Sequence, residues 1–406
     1  MKLRSMGLSS DGPDRYLILA LSGGNFVQIG IRLLLGALVP SLLVFFETTT
    51  SRVGLALTGM WAIYALMQFP SGLLADRFSE RPLMLAGLVG TIAGTVFVGL
   101  APSLLFFGIA VMMLGAGSGL YYSPASSLIS RTYADQGGAL SVLTASAGLA
   151  GLVYPSLGST IEIRFGWRLT VLLTLGITIP LLLVALRTIP SMPPANPDRS
   201  LRTAFDTSRY REVVFQPGIA YTMLLAIFLS FVFNGYISFF PTFLIEYRDV
   251  DQGAAGIAFG AVFAFSTISQ PIAGRLSDSR SRDLAIGIVV ILALAGLSSL
   301  LVMPGLIGLS VGVFLLGVGT SWFGPLQARF MDRLEGVERG YGFGLVRTSY
   351  ILLSSLGSVV VGTLAEILGW IGGFGLLAGL LGLCLLLLVG NRVYPREVLR
   401  RPRNGD

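Results

Sequence analysis

The chain has no histidine, one cysteine and one lysine in 406 residues. Without histidine, and with its single thiol, Cys384, in a leucine-rich run, it lacks the usual ligands of zinc and haem and cannot form an internal disulfide. Lys2 is the only lysine, which removes a Walker A lysine and any Schiff-base candidate. Charge is also scarce. Asp, Glu, Lys and Arg make up 12% of the residues, against 53% hydrophobic, and mean hydropathy is +0.79. A soluble domain of this size cannot shield so much apolar surface from water. The composition therefore points to a lipid-embedded chain that is not an enzyme and needs no cofactor.

Long apolar runs take up almost all of the chain. Twelve are set off by charges and Gly/Pro breaks, at 16–46, 53–75, 83–101, 103–130, 137–161, 168–188, 214–245, 253–274, 284–302, 304–328, 340–365 and 370–391. A helix crosses the hydrocarbon core in roughly 20 residues, so the longer runs predict tilt or kinks. The first run is too long for the core of a signal peptide and is expected to be retained. One long polar interruption, 189–213 (IPSMPPANPDRSLRTAFDTSRYREV), separates an N-terminal bundle, 1–188, from a C-terminal bundle, 214–406. Of 28 basic residues, 22 fall on the side that carries the termini and this linker, four on the other side and two inside runs. That bias places both termini in the cytoplasm. The net charge of +7 then reflects topology and contact with anionic lipid rather than nucleic-acid binding. The run Gly115-Ala-Gly117-Ser-Gly119 superficially resembles a phosphate loop. It lies inside an apolar run with no strand before it, so it reads as helix packing.

The two basic residues inside runs are Arg32 and Arg347. Arg32 is the seventeenth of the 31 residues from Tyr16 to Phe46, and the only charged one among them. An arginine near the bilayer midplane costs at least about 2.5–3.5 kcal/mol on insertion scales and is usually functional. Arg347 lies eight residues into its run, about 10–12 Å from the run's start by helical rise. All 21 acidic residues fall in loops, termini or end turns, the deepest being Glu47, Glu162, Glu246 and Glu366. None reaches the depth of Arg32. Two buried cations without anions predict that the cargo supplies the anion.

Neighbouring residues extend this candidate site. Asn25 and Gln28 precede Arg32 at i, i+3, i+7 spacing, and Tyr350 and Ser354 stand in the same relation to Arg347. Asn234 precedes Pro241 by seven residues, much as Arg32 precedes Pro40 by eight. The structural alternatives stay open at this point: Arg32 capping carbonyls at a helix break or bridging the two halves, and Arg347 merely reaching the membrane surface.

The halves repeat one another at an offset of 201–203. Pro40 matches Pro241, Pro70 matches Pro271, Pro124 matches Pro325, and Gly166-Trp167 matches Gly369-Trp370. Gln68-x3-Gly72-x3-Asp76 matches Gln270-x3-Gly274-x3-Asp278. Internal repeats of this kind build many secondary transporters, with the substrate site between the halves. Within them, Gly72-Leu-Leu-Ala-Asp76-Arg77-Phe-Ser79-Glu-Arg81 resembles the loop signature of the major facilitator superfamily, G-x-x-x-D-R/K-x-G-x-R/K. Ser79 replaces a glycine, and a degenerate copy begins at Gly274 and Asp278. The resemblance implies an all-α fold of twelve transmembrane helices in two pseudo-symmetric six-helix bundles, working as a monomer. It also implies a gate built from Asp76, Arg77 and Arg81, while Gly72 and Gly274 would permit close helix approach. In this superfamily the fourth and tenth helices line the cavity, which brings in Tyr121, Tyr122 and Trp322; packing is the alternative for these aromatics.

Arg32-x7-Pro40 is further similar to the first-helix arginine of the sialin-like anion symporters, the glycerol-3-phosphate transporters and the cyanate permeases. The chain departs from the first of these at Ile31, and from the phosphate-ester exchangers at Phe233 and Asn234. Val111 stands where drug–proton antiporters carry an arginine, and the Gly/Pro run 148–158 matches an antiporter motif only loosely. The expectation is a carrier that moves a small organic anion across the cytoplasmic membrane by alternating access. Export of hydrophobic or cationic compounds is the alternative, although cationic cargo would want a midplane carboxylate. A non-transporting scaffold or receptor is the third reading.

Overall fold

The computed structural model describes residues 15–197, 214–334 and 339–393; within them the chain is almost entirely helical and contains no strand. The first half comprises α1 (Arg15–Ala37), α2 (Val39–Phe45), α3 (Thr50–Phe78), α4 (Glu80–Gly99), α5 (Leu104–Gly119), α6 (Tyr122–Thr132), α7 (Gln136–Leu173) and α8 (Leu175–Thr188). The second comprises α9 (Pro217–Arg248), α10 (Gln252–Ser279), α11 (Arg282–Val302), α12 (Gly305–Gly319), α13 (Phe323–Met331), α14 (Arg339–Ser354) and α15 (Leu356–Val393). Of the linker expected at 189–213, residues 198–213 lie outside the described residues.

Among the described residues, ten helical segments are long and apolar enough to cross a membrane. Two of them, Gln136–Thr188 and Gly342–Arg392, run to 53 and 51 residues, more than twice a membrane crossing. Each is broken by a glycine at positive φ, Gly166 at 76° and Gly369 at 72°, a region that residues with a Cβ rarely enter. Divided there, the ten make twelve segments. The breaks fall on the repeated Gly-Trp pair, so the repeat in sequence is a repeat in backbone. Kinks also appear where long runs predicted them, at Leu38 before Pro40 and at Ser355 between α14 and α15.

Helix starts are marked by short polar side chains. Ser103 accepts from Phe106 N, Asp135 from Gly138 N, Asp251 from Ala254 N and Ser281 from Leu284 N, each satisfying an amide that the helix itself leaves unpaired. Packing between the helices uses small residues. A Cβ on Gly117 would lie 2.6 Å from Thr91 N, so the Gly115–Gly119 run is a packing face, as its apolar setting predicts.

The two halves meet along α3 against α14 and α15, and along α7 against α10. Toward the end that holds residues 46–52 and 366–370, hydrogen bonds cross this boundary. Thr50 Oγ1 donates to Gly362 O (2.7 Å), Thr58 Oγ1 to Ser355 O (3.0 Å), and Gln252 Nε2 to Glu162 Oε2 (2.7 Å). A Cβ on Gly54 would sit 2.6 Å from Ser358 O. Toward the opposite, arginine-rich end, Phe69 and Leu73 pack with Leu345.

Candidate functional site

A cavity of about 230 Å³ lies between these contacts, walled by α1, α3, α6 and α7 of the first half and by α9, α10, α13 and α14 of the second. Arg32 and Arg347 both line it, and among the described residues no Asp or Glu does. Arg32 is only 4% exposed. Its Nε donates to Gln28 O (3.0 Å), and its guanidinium lies 3.8 Å from the Tyr64 ring centre and 4.7 Å from that of Trp61. Its Nη1 is buried without a hydrogen-bond partner. Arg347, half-buried, stacks 4.6 Å from the Tyr122 ring centre and leaves a buried Nε unpartnered. Ring faces carry negative potential and hold both cations in place, but a ring does not neutralise a charge.

Of the residues the sequence nominated, Asn25, Asn234, Tyr122, Trp322 and Tyr350 line the same cavity as the two arginines. Asn25 Nδ2 donates to Leu143 O (2.9 Å) and Ser146 Oγ (3.0 Å), and Asn234 Nδ2 donates to Ser354 Oγ (3.1 Å). Gln28 and Tyr121 are not on the wall. Gln28 Oε1 accepts from Thr91 Oγ1, and the fully buried Tyr121 donates to Leu21 O (3.1 Å). The reason is angular. At about 100° per residue, Arg32 returns to within about 20° of Asn25, whereas Gln28 falls about 60° away. Tyr121 and Tyr122 point about 100° apart, so only one of them faces the cavity. Trp61 and Tyr64, which stack on Arg32, did not stand out in the sequence. Their i, i+3 spacing opposite a buried arginine was the available signal.

The signature loop is held by contacts of several kinds. Ser79, at the glycine position of the signature, takes φ 97°. Arg77 lies over the Phe78 ring at 5.4 Å, and Arg81 Nη2 donates to Leu186 O (2.7 Å). Close helix approach, expected at Gly72 and Gly274, occurs elsewhere. A Cβ on Gly72 would meet Ser123 Cβ at 3.8 Å, and one on Gly274 would meet nothing within 4 Å. The tightest small-residue contacts fall instead in helix interiors and on the other side of the cavity, as at Gly54.

Ion pairs near this end join helices within each half. Glu80, 1% exposed, pairs with Arg131 (2.8 Å) and accepts from Ser127 Oγ (3.0 Å). Asp283 pairs with Arg329, whose Nε donates to Thr222 Oγ1 (3.1 Å). Arg282 joins Asp278 to Asp332. In both halves, then, an acid in the first turn of one helix (α4, α11) is clasped by an arginine near the end of another (α6, α13). The partners are some 50 residues apart in sequence, which kept these pairs out of reach of motif reading.

The family model described as Major Facilitator Superfamily matches residues 21–334 and 223–405. Curated relatives include the human protein named Monocarboxylate transporter 11, 28% identical over 94% of this chain and 76% of its own length. The probable sulfoacetate transporter SauU of Cupriavidus necator is 24% identical over 78% and 79%. The multidrug resistance protein MdtL of Shigella flexneri is 24% identical over 92% and 94%. Among solved structures, a bacterial homologue of the human lysosomal transporter Spinster, inward-facing and unoccupied, superposes with a TM-score of 0.73 at 18% identity, covering 94% of this chain and 95% of that one.

Proposed function

Since the chain belongs to the major facilitator superfamily of membrane transporters, we propose that it carries a small organic anion across the cell membrane by alternating access. In this reading the twelve segments are twelve crossings, with both termini in the cytoplasm. The observation that carries the proposal is the cavity between the halves, which holds two guanidinium groups and no carboxylate on its wall. A buried cation without a partner is expensive, and an anion that enters the site removes that cost. Arginine's planar fork suits a carboxylate, sulfonate or phosphate through paired hydrogen bonds. The relatives named for sulfoacetate and monocarboxylates are in keeping with such a cargo.

Alternation follows from where the halves touch. The seam at Thr50–Gly362, Thr58–Ser355 and Glu162–Gln252 closes one side of the cavity. Rocking the halves would part it and draw the arginine-rich end together around the contact that Phe69 and Leu73 already make with Leu345. The loop residues Gly72, Asp76, Arg77, Arg81, Gly274 and Asp278 would then act as the gate on that side. Asp76→Asn is expected to slow transport and leave substrate binding largely intact. Normal transport kinetics in that variant would reduce the loop to a topological role.

One feature favours a second reading, the export of hydrophobic compounds: Trp61, Tyr64, Phe233, Phe263, Trp322 and Phe323 give the cavity an aromatic wall, and a multidrug resistance protein is among the relatives. A panel of small carboxylates and phosphate esters, run beside lipophilic cations and neutral dyes, separates the two. Thermal stabilisation of the purified protein by anions, lost in Arg32→Gln, is the expected result. Stabilisation by cations or neutral dyes alone would refute the anion reading.

A further inference from the structure

Resting on the anion reading above, we infer that the substrate is a divalent anion, one charged group held by Arg32 and the other by Arg347. The two arginines belong to different halves, Arg32 on α1 and Arg347 on α14. Each points into the same cavity, and each keeps one buried donor without a partner, Nη1 of Arg32 and Nε of Arg347. Each is held by its own partners. Arg32 is pinned by its bond to Gln28 O and by the rings of Tyr64 and Trp61, and Arg347 by Tyr122. Their charges repel across the space between them.

Charge balance then decides the class of cargo. Among the described residues no acidic side chain lines the wall, so a monoanion neutralises one guanidinium and leaves the other facing a low-dielectric cavity. A divalent anion neutralises both. Asn25 spends both amide hydrogens on Leu143 O and Ser146 Oγ, so the polar parts between the charged ends fall to Asn234, whose Nδ2 bonds Ser354 Oγ with one of its two hydrogens. Because the two anchors sit on opposite halves, such a molecule also ties the halves together when it binds, which couples occupancy to closure. A charge-assisted contact of this kind contributes about 10- to 100-fold in affinity, and that is the preference expected for a dianion over its matched monoanion.

The test uses the full chain in lipid nanodiscs and three pairs of equal carbon skeleton: malonate and propionate, succinate and butyrate, phthalate and 2-methylbenzoate. Binding is measured by calorimetry at about pH 7.5, where both groups of each diacid are largely ionised. In the wild-type protein the dianion of at least one pair should bind at least about tenfold more tightly than its partner. Arg347→Gln should bring that ratio close to one, and Arg347→Lys, which keeps the charge, should retain a clear preference. Monoanions binding as tightly as dianions in every pair, or a ratio unchanged in Arg347→Gln, would overturn the inference and leave the anion reading standing. If none of the six anions binds while tetraphenylphosphonium does, the anion reading itself fails, and this inference with it.

Discussion

Replacing Arg32 by glutamine should separate stability from function, because the wild-type side chain brings little net stabilisation to the empty carrier. In its favour are two ring contacts, to Tyr64 and Trp61, and one hydrogen bond, to Gln28 O. Cation–π contacts are worth about 0.5–2 kcal/mol each, and a charged hydrogen bond about 1.5–3 kcal/mol. Against them stands the desolvation of a cation only 4% exposed, several kcal/mol even after relaxation, with no carboxylate on the cavity wall to offset it. These terms roughly cancel, so Arg32→Gln should melt within a few degrees of the wild type, or slightly above it. Substrate binding has no such compensation. Losing a buried charged partner costs about 3–5 kcal/mol, or several hundred-fold and upward in affinity. Arg32→Lys keeps the charge but loses the fork and much of the stacking, so it should fall between. The assay pairs a thermal melt of the ligand-free protein with a binding isotherm for the best anion found in the panel. A large loss of melting temperature with affinity unchanged would make Arg32 a structural residue and remove the main support of the anion reading.

Three further outcomes follow from the geometry. Ser79→Gly should raise the melting temperature by the equivalent of about 1 kcal/mol, because a φ of 97° is strained for serine and free for glycine; no change would mean that the turn relaxes at no cost. Arg131→Gln should destabilise more than Glu80→Gln, since it strands a carboxylate that is 1% exposed, whereas the reverse change leaves an arginine that is 26% exposed. The double variant should recover part of the loss, and strict additivity in that cycle would argue against coupling. Gly256→Val should hold the α7–α10 seam apart, because even a Cβ there would lie 2.9 Å from Pro155 O; a thiol introduced by Gln252→Cys should then label several-fold faster, and unchanged labelling would show that the seam absorbs the bulk.

What could be read from the sequence was whatever depends on one helix at a time. Run lengths located the helical segments, the Gly-Trp pair marked both sharp breaks, and the depth of Arg32 singled it out. The rotation of a helix about its own axis was harder to read. Asn25 and Gln28 look equivalent at i and i+3, yet one faces the cavity and the other hydrogen-bonds Thr91. In an apolar run both the lipid side and the cavity side admit aromatics, so the i, i+3 spacing of Trp61 and Tyr64 was a weak mark. The close approach assigned to Gly72 and Gly274 failed for a related reason. A small residue allows contact, but which surfaces touch is decided by how the halves are tilted.

The repeat explains why some features come in pairs and the site does not. Backbone features recur in both halves: the positive-φ glycines at 166 and 369, and the clasp of an acid in one helix by an arginine in another, Glu80–Arg131 and Asp283–Arg329. Cavity positions recur too. At an offset of 201–202, Arg32 faces Asn234, Trp61 faces Phe263, Tyr64 faces Ser266 and Tyr122 faces Phe323, and all eight line the wall. Only the chemistry at those positions differs. At the offset of 203 set by the Gly-Trp pairs, Arg347 has Thr144 as its counterpart, so neither arginine has a basic partner in the repeat. A symmetric pair of arginines would stand at equal depth and present the same face to a ligand approaching from either side. In the proposed site one cation would lie near the centre of the membrane and the other nearer the arginine-rich end, which would give a bound anion a fixed orientation along the transport path. In the proposed mechanism the shared scaffold would let the halves rock as equivalent bodies, and the departures from it would be where a substrate is told end from end.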